Sequence, residues 1–216
     1  MFSDRRAAGR VLAQQLRPYA DASTGDVVVL ALPRGGVPVA YEIATLLGAP
    51  LDVFVVRKLG VTGHEELAMG AIASGGVRVL NTDVVAELRI TQAELDFVTA
   101  REAVELTRRE LLYRGDRPLL DVRGRTVVLV DDGLATGASM RAGIHALRLL
   151  QPASIIGAVP VAAADVCRAL GAEADEMICA VTPPAFGSVG AWYTDFTQTT
   201  DDEVRALLAH ARGKPR

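Results

Sequence analysis

Residues 127–140, with the sequence VVLVDDGLATGASM, constrain the fold of this chain more than any other stretch. The four β-prone apolar residues 127–130 predict a strand that is buried on both faces, as the inner strands of a parallel sheet are. Two carboxylates, Asp131 and Asp132, follow this strand directly. Small, flexible or hydroxylated residues come next, and apolar residues at helical spacing begin after them. The segment therefore predicts a strand, a tight loop and the amino terminus of a helix in direct succession.

This predicted loop offers two kinds of polar group side by side. Backbone N–H groups at a helix amino terminus are unpaired and carry partial positive charge, so a phosphate can bind there without a basic side chain. Carboxylates do not bind phosphate directly. Asp131 and Asp132 suit vicinal sugar hydroxyls instead, or a Mg²⁺ ion with its water shell. The two groups together describe a site for a phosphorylated ribose.

Three other interpretations of the segment are weaker. A P-loop nucleotidase needs a G-x-x-x-x-G-K-[ST] loop, which the sequence lacks. A dinucleotide-binding fold needs G-x-G-x-x-G after its first strand, and Gly133 and Gly137 do not have that spacing. An ordinary strand-to-helix connection would leave the two adjacent acids and the run of small residues unexplained.

The segment resembles the phosphoribosyl pyrophosphate (PRPP) binding motif of the type I phosphoribosyltransferases. That motif has four apolar residues, two acids, two variable residues and an A/D-T-G-x-S/T core. The resemblance implies that Asp131 and Asp132 contact the ribose hydroxyls, take part in catalysis and hold Mg²⁺ through water. It also implies a grip on the 5′-phosphate by the next five core residues, which are Ala135, Thr136, Gly137, Ala138 and Ser139.

One position in this motif bears on the acceptor. The 6-oxopurine branch of the resembled family has an Asp at the position of Ala135, where it serves N7 of the base, and the adenine branch has Ala. A hypoxanthine or guanine acceptor is therefore less expected than another base.

A second glycine-rich loop, Pro33-Arg34-Gly35-Gly36, follows the predicted strand Val27 to Leu32. Two glycines let the backbone approach an anion closely, and a guanidinium matches the geometry of phosphate oxygens. In the resembled family the equivalent loop binds the pyrophosphate of PRPP, which implies this role for Arg34, Gly35 and Gly36. The alternative is that Arg34 pins the loop by pairing with a carboxylate such as Asp131.

Two adjacent cations, Arg57 and Lys58, follow a third predicted strand, Leu51 to Val56. Such a pair often only adds surface charge. The adenine and orotate branches of the resembled family carry a similar pair near the pyrophosphate, which implies PRPP binding by both residues and makes Lys58 the catalytic candidate.

The polar stretch that begins at Val61 corresponds to a mobile flap in the same family, expected to reach about Gly75. His64 lies within this flap. It is either an acid–base group or simply a solvated side chain.

The rest of the chain alternates predicted strands with predicted helices. Further apolar strands are expected at Ile155 to Val161 and at Met177 to Val181, with helical spacing between them. This order predicts an α/β fold with a Rossmann-like parallel sheet flanked by helices, in one domain over residues 1–216. The ligand crevice of such a sheet lies beyond the carboxyl ends of its strands, where every loop described above begins.

Residues 182–200 are irregular and rich in aromatic side chains. Phe186, Trp192, Tyr193 and Phe196 occur here in a chain that is only 5% aromatic. One interpretation is a small satellite core. The other is implied by the resemblance: this segment forms at least part of a hood subdomain, in which an aromatic ring stacks on the acceptor base.

Composition limits the kind of protein this is. A chain with 50% hydrophobic and 23% charged residues is ordinary for a soluble globular protein, and a net charge of −3 gives no support to nucleic-acid binding. Cys167 and Cys179 belong to no C-x-x-C pair or Cys/His cluster, so they are expected to be reduced core residues. No long apolar run or signal-peptide core is present, which predicts a cytoplasmic protein without a membrane partner.

The sequence thus predicts a phosphoribosyltransferase, a pentosyl-transferring glycosyltransferase of nucleotide and nucleoside metabolism. It would use PRPP and Mg²⁺ to transfer a 5-phosphoribosyl group to a nitrogenous base, expected to be a nucleobase, with release of pyrophosphate. A homodimer is expected. Two alternatives stay open: a non-catalytic regulator of the same fold that senses PRPP, and a domain that works only when joined to a partner.

Overall fold

The fold contains a five-stranded parallel sheet and a three-stranded antiparallel sheet, as seen in a computed structural model that describes residues 1–20 and 26–213. The strands are β1 Val27–Ala31, β2 Leu51–Val53, β3 Val56–Val61, β4 His64–Ala73, β5 Val77–Leu80, β6 Thr126–Val130, β7 Ser154–Val161 and β8 Glu176–Val181. The helices are α1 Arg5–Gln15, α2 Gly36–Leu47, α3 Thr82–Glu87, α4 Gln92–Arg114, α5 Ala138–Leu149, α6 Ala164–Gly171 and α7 Asp201–Gly213. Short 3₁₀ turns occur at Arg17–Tyr19 and Val189–Trp192.

The parallel sheet has the strand order β2-β1-β6-β7-β8, so β6 lies at its centre. Ala31 at the end of β1 pairs with Val130 at the end of β6, and Val130 pairs with Ala158 of β7. These strands therefore deliver their following loops to the same edge of the sheet. The predicted α/β fold with a helix-flanked parallel sheet is confirmed.

Helices cover both faces of this sheet. In β1, Val27, Val29 and Ala31 belong to an apolar cluster that includes residues of α1, α2, α4 and α7. Val28 and Leu30 belong to a second cluster, which includes residues of α5. Successive side chains of a strand point to opposite faces, so a strand covered on both sides must be apolar throughout. This explains the uninterrupted apolar runs that predicted the strands.

Several helices begin with a side-chain cap. The Asp4 carboxylate accepts the Ala7 N–H at 2.7 Å before α1, and the Thr91 hydroxyl accepts the Glu94 N–H at 3.2 Å before α4. At the start of α7, the Thr200 hydroxyl accepts the backbone N–H of Glu203, and the Glu203 carboxylate accepts the Thr200 N–H in return. These side chains satisfy N–H groups that the helices leave unpaired.

The predicted strand Leu51 to Val56 is wrong in its extent. β2 ends at Val53, because its partner β1 ends at Ala31 and offers no further residues to pair with. The chain then enters β3, which pairs with β4 in an antiparallel hairpin. Arg57 and Lys58 consequently lie within a strand rather than after one. An apolar run in the sequence indicates that a segment is buried, but it does not indicate how many of its residues have a partner strand to pair with.

The predicted flap is a regular antiparallel hairpin. β3 and β4 form its two arms and His64 opens the second arm next to the turn. β4 then pairs with β5 in a second antiparallel hairpin. Movement of the β3–β4 hairpin over the site stays a prediction.

The expectation of reduced cysteines is wrong. Cys167 of α6 and Cys179 of β8 form a disulfide, with an S–S distance of 2.04 Å. The pairing results from the packing of α6 against β8, which the spacing of the two residues in the sequence does not reveal.

Among the described helices, none combines the length and the apolar character needed to cross a membrane.

Candidate active site

Two of the loops predicted to bind the ligand are in direct contact at the carboxyl edge of the sheet. The arginine loop, residues 33–36, follows β1, and the loop 131–137 follows β6. A Cβ atom on Gly35 would lie 2.1 Å from an Asp132 carboxylate oxygen, and one on Gly36 would lie 2.6 Å from the Val130 carbonyl oxygen. Both positions therefore need glycine. Sequence reasoning assigned these glycines to a close approach of an anion, and the structure shows that they also allow the two loops to touch.

Asp131 and Asp132, here called the carboxylate pair, stand at the end of β6 and are partly buried. The Asp131 carboxylate accepts the backbone N–H of Asp132 at 2.9 Å. Burial and the neighbouring charge of Asp132 raise the pKa of Asp131 well above its usual range. Burial also raises the pKa of Asp132, although its ion pair with Arg5 works in the opposite direction. A raised pKa means that the ionised form of each carboxyl group is destabilised. A bound cation or hydroxyl donors would stabilise that ionised form.

Arg5, at the start of α1, is a site residue that sequence reasoning missed. Its Nε lies 2.7 Å from Asp132 Oδ2, and the two side chains are only 11% and 16% exposed. Its guanidinium also lies 3.9 Å from the centre of the Phe196 ring and donates to the Thr197 carbonyl oxygen at 2.8 Å. The sequence signal was limited to a helix near the amino terminus, since nothing local links Arg5 to a carboxylate 127 residues away.

The five residues of the predicted phosphate loop, 135–139, lie together where α5 begins. The loop is fastened to β7 because the Leu134 N–H donates to the Val161 carbonyl oxygen at 2.9 Å. Gly137 caps α5 with a φ of +72°, in the left-handed region that favours glycine. Within the described residues, the backbone N–H groups of Ala135, Thr136 and Gly137 donate to no acceptor. Ala135, Thr136 and Ser139 are exposed, so an anion can reach this loop.

Arg34 is partly exposed, and its peptide bond to Pro33 is cis. Its NH1 lies 3.7 Å from a carboxylate oxygen of Asp201, at the start of α7. The same oxygen accepts the Tyr113 hydroxyl at 2.6 Å. The carboxylate that Arg34 faces is therefore Asp201 rather than Asp131, and the alternative that Arg34 pins its loop by pairing with a carboxylate stays open.

Arg57 and Lys58 point to opposite faces of β3. Arg57 faces α4, where its NH2 lies 2.6 Å from the Glu102 carboxylate. Lys58 is exposed and has no ion pair with any residue in the described ranges. Val56, on the same strand face as Lys58, packs in the apolar cluster that includes α5. Of the two cations, Lys58 is thus the one available to a ligand, whereas Arg57 attaches the hairpin to α4.

The aromatic residues of the segment 182–200, here called the hood segment, form a small satellite core. Tyr193 packs against Phe2 at 5.7 Å and against Phe196 at 5.0 Å between ring centres. Its hydroxyl donates to the Asp132 carbonyl oxygen at 2.6 Å, and burial raises its pKa. The interpretation as a satellite core is correct for this residue. The core also takes in the amino terminus through Phe2, which the sequence did not indicate.

The hood segment sits directly on the loop 131–137. A Cβ atom on Gly133 would lie 2.5 Å from a Val189 methyl carbon. His64, by contrast, is exposed beside the turn of the β3–β4 hairpin. The structure thus brings the carboxylate pair, both glycine-containing loops and the hood segment together, while the role of His64 stays open.

A cavity of about 510 Å³ lies at the opposite edge of the sheet, beside the start of β2, and is lined by Pro50, Asp52, Arg114 and Arg212 among others. Its buried Arg114 is already paired with Asp52 at 3.2 Å and with Glu110 at 3.1 Å. The buried Arg114 and Asp52 of this cavity therefore support the fold, and the candidate site remains at the carboxyl edge.

Comparisons with known proteins agree with this geometry. The model of the phosphoribosyl transferase domain matches residues 4–181. Rv0571c of Mycobacterium tuberculosis H37Rv, whose name provisionally describes a phosphoribosyl transferase, is 48% identical over 211 residues, which are 98% of this chain and 47% of that protein. The chain thus spans about half the length of the curated relatives it matches.

Solved structures are similar over most of the chain. The crystal structure of TT1426 from Thermus thermophilus has 43% sequence identity and a TM-score of 0.86, covering 97% of this chain and 98% of that one. AQ2163 from Aquifex aeolicus, at 10% identity and a TM-score of 0.50, covers 86% of this chain and 83% of its own and shares the fold alone.

Proposed function

Because this chain belongs to the phosphoribosyl transferase family, we propose that it transfers the 5-phosphoribosyl group of PRPP to a nitrogenous base and releases pyrophosphate. The observation that carries this proposal is the contact between two loops at one sheet edge. One loop offers unpaired N–H groups beside two carboxylates, and the other offers a guanidinium between proline and glycine. A ligand with a phosphate, a diol and a pyrophosphate matches this set of groups.

The phosphate loop and the carboxylate pair would hold the two ends of the ribose 5-phosphate. N–H groups at the start of α5 suit the 5′-phosphate, because they combine hydrogen-bond donors with the positive end of the helix dipole. Asp131 and Asp132 accept hydrogen bonds and so suit the ribose hydroxyls. Their negative charge also favours the positive charge that develops on the sugar as the bond at C1 breaks.

The residues present fit a magnesium ion that arrives with the substrate. The described residues contain no cluster of three or more His, Cys, Asp or Glu side chains able to hold a metal. Mg²⁺ keeps several waters and is often bound by one or two carboxylates together with substrate phosphates. Asp131 and Asp132 would hold it through water, and when bound it would neutralise charge on the leaving pyrophosphate.

Arg34 and Lys58 would add fixed positive charge beside the leaving group. Both side chains are at least partly exposed, and Lys58 has no ion pair within the described part of the chain. Arg57 is a proposed ligand contact of lesser weight, since its guanidinium is engaged by Glu102. Catalysis would then depend on positioning and electrostatics, without a covalent nucleophile.

The hood segment would supply the acceptor side of the site. Its aromatic core rests on the loop that carries Asp132, so a planar base placed against it would approach C1 of the ribose. Ala135 stands where a carboxylate would serve N7 of a 6-oxopurine. We therefore place a nucleobase other than hypoxanthine or guanine first among the acceptors.

The single-domain organisation, the homodimer and the cytoplasmic location predicted from the sequence remain proposals. The Cys167–Cys179 disulfide makes the location worth testing, because structural disulfides are typical of oxidising compartments. Fractionation of cells that express the full-length protein would test the location.

The function is tested by incubating the protein with Mg²⁺, PRPP and one nucleobase at a time while pyrophosphate is measured. Release that depends on one base, and that falls strongly in Lys58→Ala, is the expected result. PRPP binding without release from any base would instead identify the non-catalytic sensor. A reaction that requires an added partner protein would identify the partner-dependent domain.

A further inference from the structure

Helix α4 carries apolar residues on two opposite faces. Its inner face packs into the fold through Leu95, Val98, Leu106 and Tyr113, all buried. On the other side Phe97, Val104 and Leu111 are 67%, 72% and 53% exposed. Small residues, all exposed, alternate with these large ones, and the six together are here called the outer stripe: Ala93, Phe97, Ala100, Val104, Thr107 and Leu111.

The outer stripe is narrow and straight. At about 100° per residue, its six members fall within an arc of roughly 80° on the helix surface. Their spacing alternates between three and four residues, which is the pattern of a helix that packs along a second helix. A helix that only covers a core has one apolar stripe and a polar outer face. α4 therefore has a seam that no described part of the chain covers.

The order of large and small residues along the outer stripe is self-complementary. If a second copy of α4 runs antiparallel, Leu111 of one copy lies opposite Ala93 of the other, and Val104 lies opposite Ala100. Phe97 then faces Thr107. Every layer pairs one large with one small side chain, so knobs on each helix meet gaps on the other. A two-fold axis generates all six layers from three distinct pairs.

We propose that the outer stripe of α4 is the contact surface of a symmetric antiparallel homodimer. A two-fold interface uses the same patch on both copies and must complement itself, as this stripe does. An unrelated partner would place no such condition on the order of large and small residues. The large apolar residues of the outer stripe are exposed in the single chain and would be buried by a second copy.

Charges beside the outer stripe are compatible with the antiparallel arrangement. In that register Glu94 of one copy lies beside Arg108 of the other, although each Arg108 is also bonded to Glu105 of its own chain at 2.7 Å. The two Arg101 side chains approach each other near the two-fold axis, and each is paired with Glu102 of its own chain at 3.2 Å. Asp96 and Glu110 also approach each other across the dimer. Their charges are already balanced within each chain, by Arg78 at 3.3 Å and by Arg114 at 3.1 Å.

The proposed interface is separate from the candidate active site but connected to it. Glu102, on the inner side of α4, holds Arg57 of β3 at 2.6 Å. The next residue of β3 is Lys58. A dimer that holds α4 firmly would therefore steady the strand that carries this cation.

The first test measures the mass of the protein in solution by sedimentation equilibrium over a range of concentrations. The chain mass is 22.8 kDa, and a species of twice this mass is expected for the wild type. Val104→Arg places a charge at the centre of the seam and should weaken dimerisation by roughly 100-fold or more. Val11→Arg is the matched control, because Val11 is a 48% exposed valine on another helix. It should dimerise like the wild type.

A wild type that stays monomeric at the highest concentration would overturn the proposal. So would a Val104→Arg variant that dimerises as well as the control. Val104 is exposed in the single chain, so its replacement should leave the fold intact, and circular dichroism of both variants checks this.

The second test determines the direction of the helices by cross-linking. Positions 93 and 111 are about 27 Å apart along α4 at 1.5 Å per residue. In the antiparallel dimer Ala93→Cys and Leu111→Cys should form a disulfide only when the two variants are mixed. A parallel dimer would cross-link each variant with itself, and no cross-link in any sample would place the contact elsewhere. Either result would overturn the proposed interface. The native cysteines do not interfere, since Cys167 and Cys179 are bonded to each other.

Discussion

Arg5 shows how a single residue can join three parts of this molecule. It lies on α1, pairs with Asp132 of the carboxylate pair and stacks on Phe196 of the hood segment. Removing one partner of a largely buried ion pair leaves the other charge uncompensated. Arg5 therefore holds the second carboxylate in place and attaches the hood segment to it.

Arg5→Ala should lower the free energy of unfolding by about 3 kcal/mol, the usual cost of breaking a buried pair. Arg6→Ala is the matched control. Arg6 also bonds a carboxylate, Glu42 at 2.6 Å, but its side chain is 54% exposed, and such a pair contributes less than about 1 kcal/mol. Urea unfolding of both variants measures the difference. Equal losses of unfolding free energy in the two variants would show that the Arg5–Asp132 pair contributes no more to stability than an exposed pair.

Asp131 should make the ligand-free protein less stable as pH rises. Its pKa in the fold is raised by burial and by Asp132, so the folded chain keeps a proton that the unfolded chain has released. Stability then falls as pH rises from the ordinary carboxyl range through the raised pKa. Asp131→Asn removes this repulsion and should raise Tm at neutral pH, by about 2–4 °C for each kcal/mol relieved.

Thermal unfolding between pH 4 and pH 8 tests this expectation. Asp116→Asn, at an exposed position, is the control and should follow the wild type. A lower Tm for Asp131→Asn at neutral pH would mean that the ionised carboxylate stabilises the ligand-free fold, contrary to the argument.

Arg34→Ala should weaken PRPP binding but not the binding of ribose 5-phosphate, which has no pyrophosphate. Charge-assisted bonds to phosphate contribute roughly 1.5–3 kcal/mol each, so the affinity for PRPP should fall about ten- to a hundredfold. Asp201→Asn is the control, because it removes the charge that faces Arg34 at 3.7 Å and keeps an amide oxygen that can still accept the Tyr113 hydroxyl. If both ligands weaken together in both variants, Arg34 merely pins its loop.

Single residues were predictable from the sequence where their chemistry is local. The carboxylate pair and the two glycine-containing loops each follow a recognisable strand within a few residues, so their positions followed from the motif. Arg5 belongs to no motif, and its partner lies 127 residues away. The same holds for Asp201, which faces Arg34 from the opposite end of the chain.

Strands were predictable where the sequence pattern that specifies them lies within their own residues. The buried strands β1, β6, β7 and β8 occur where their apolar runs predicted them, within one residue at each end. The end of β2 and the Cys167–Cys179 disulfide depend on neighbouring elements, and the sequence does not state which elements are neighbours.

The β3–β4 hairpin separates two cations that look equivalent in the sequence. Arg57→Ala should cost about 1–2 kcal/mol of stability, since it breaks the charge-assisted bonds to Glu102 that attach the hairpin to α4. Lys58→Ala should change stability by less than about 0.5 kcal/mol, because this side chain is exposed and forms no ion pair within the described residues.

For PRPP affinity the order of the two variants should be reversed, with Lys58→Ala having the larger effect. Lys58→Ala should weaken PRPP binding about tenfold or more, whereas Arg57→Ala should weaken it less. Urea unfolding and PRPP titration on the same two variants test both parts. The reverse pattern would exchange the roles assigned to these residues.

The whole molecule brings the site together from distant segments. The sheet order places the arginine loop and the loop 131–137 side by side, although about a hundred residues separate them in the sequence. The hood segment, from the carboxyl-terminal part, packs on the loop 131–137. From the amino-terminal part, Phe2 packs against Tyr193 of the hood segment and Arg5 pairs with Asp132. Fold class and two loops were thus predictable, whereas the contribution of the chain's first helix required the structure.

Calorimetric titration of PRPP in the presence of Mg²⁺ tests the central claim most directly. The account predicts one PRPP bound per chain in the wild type and no measurable binding in the Asp131→Asn, Asp132→Asn double variant, with the fold of the variant intact by circular dichroism. Unchanged PRPP affinity in that variant, or no binding to the wild type, would contradict it.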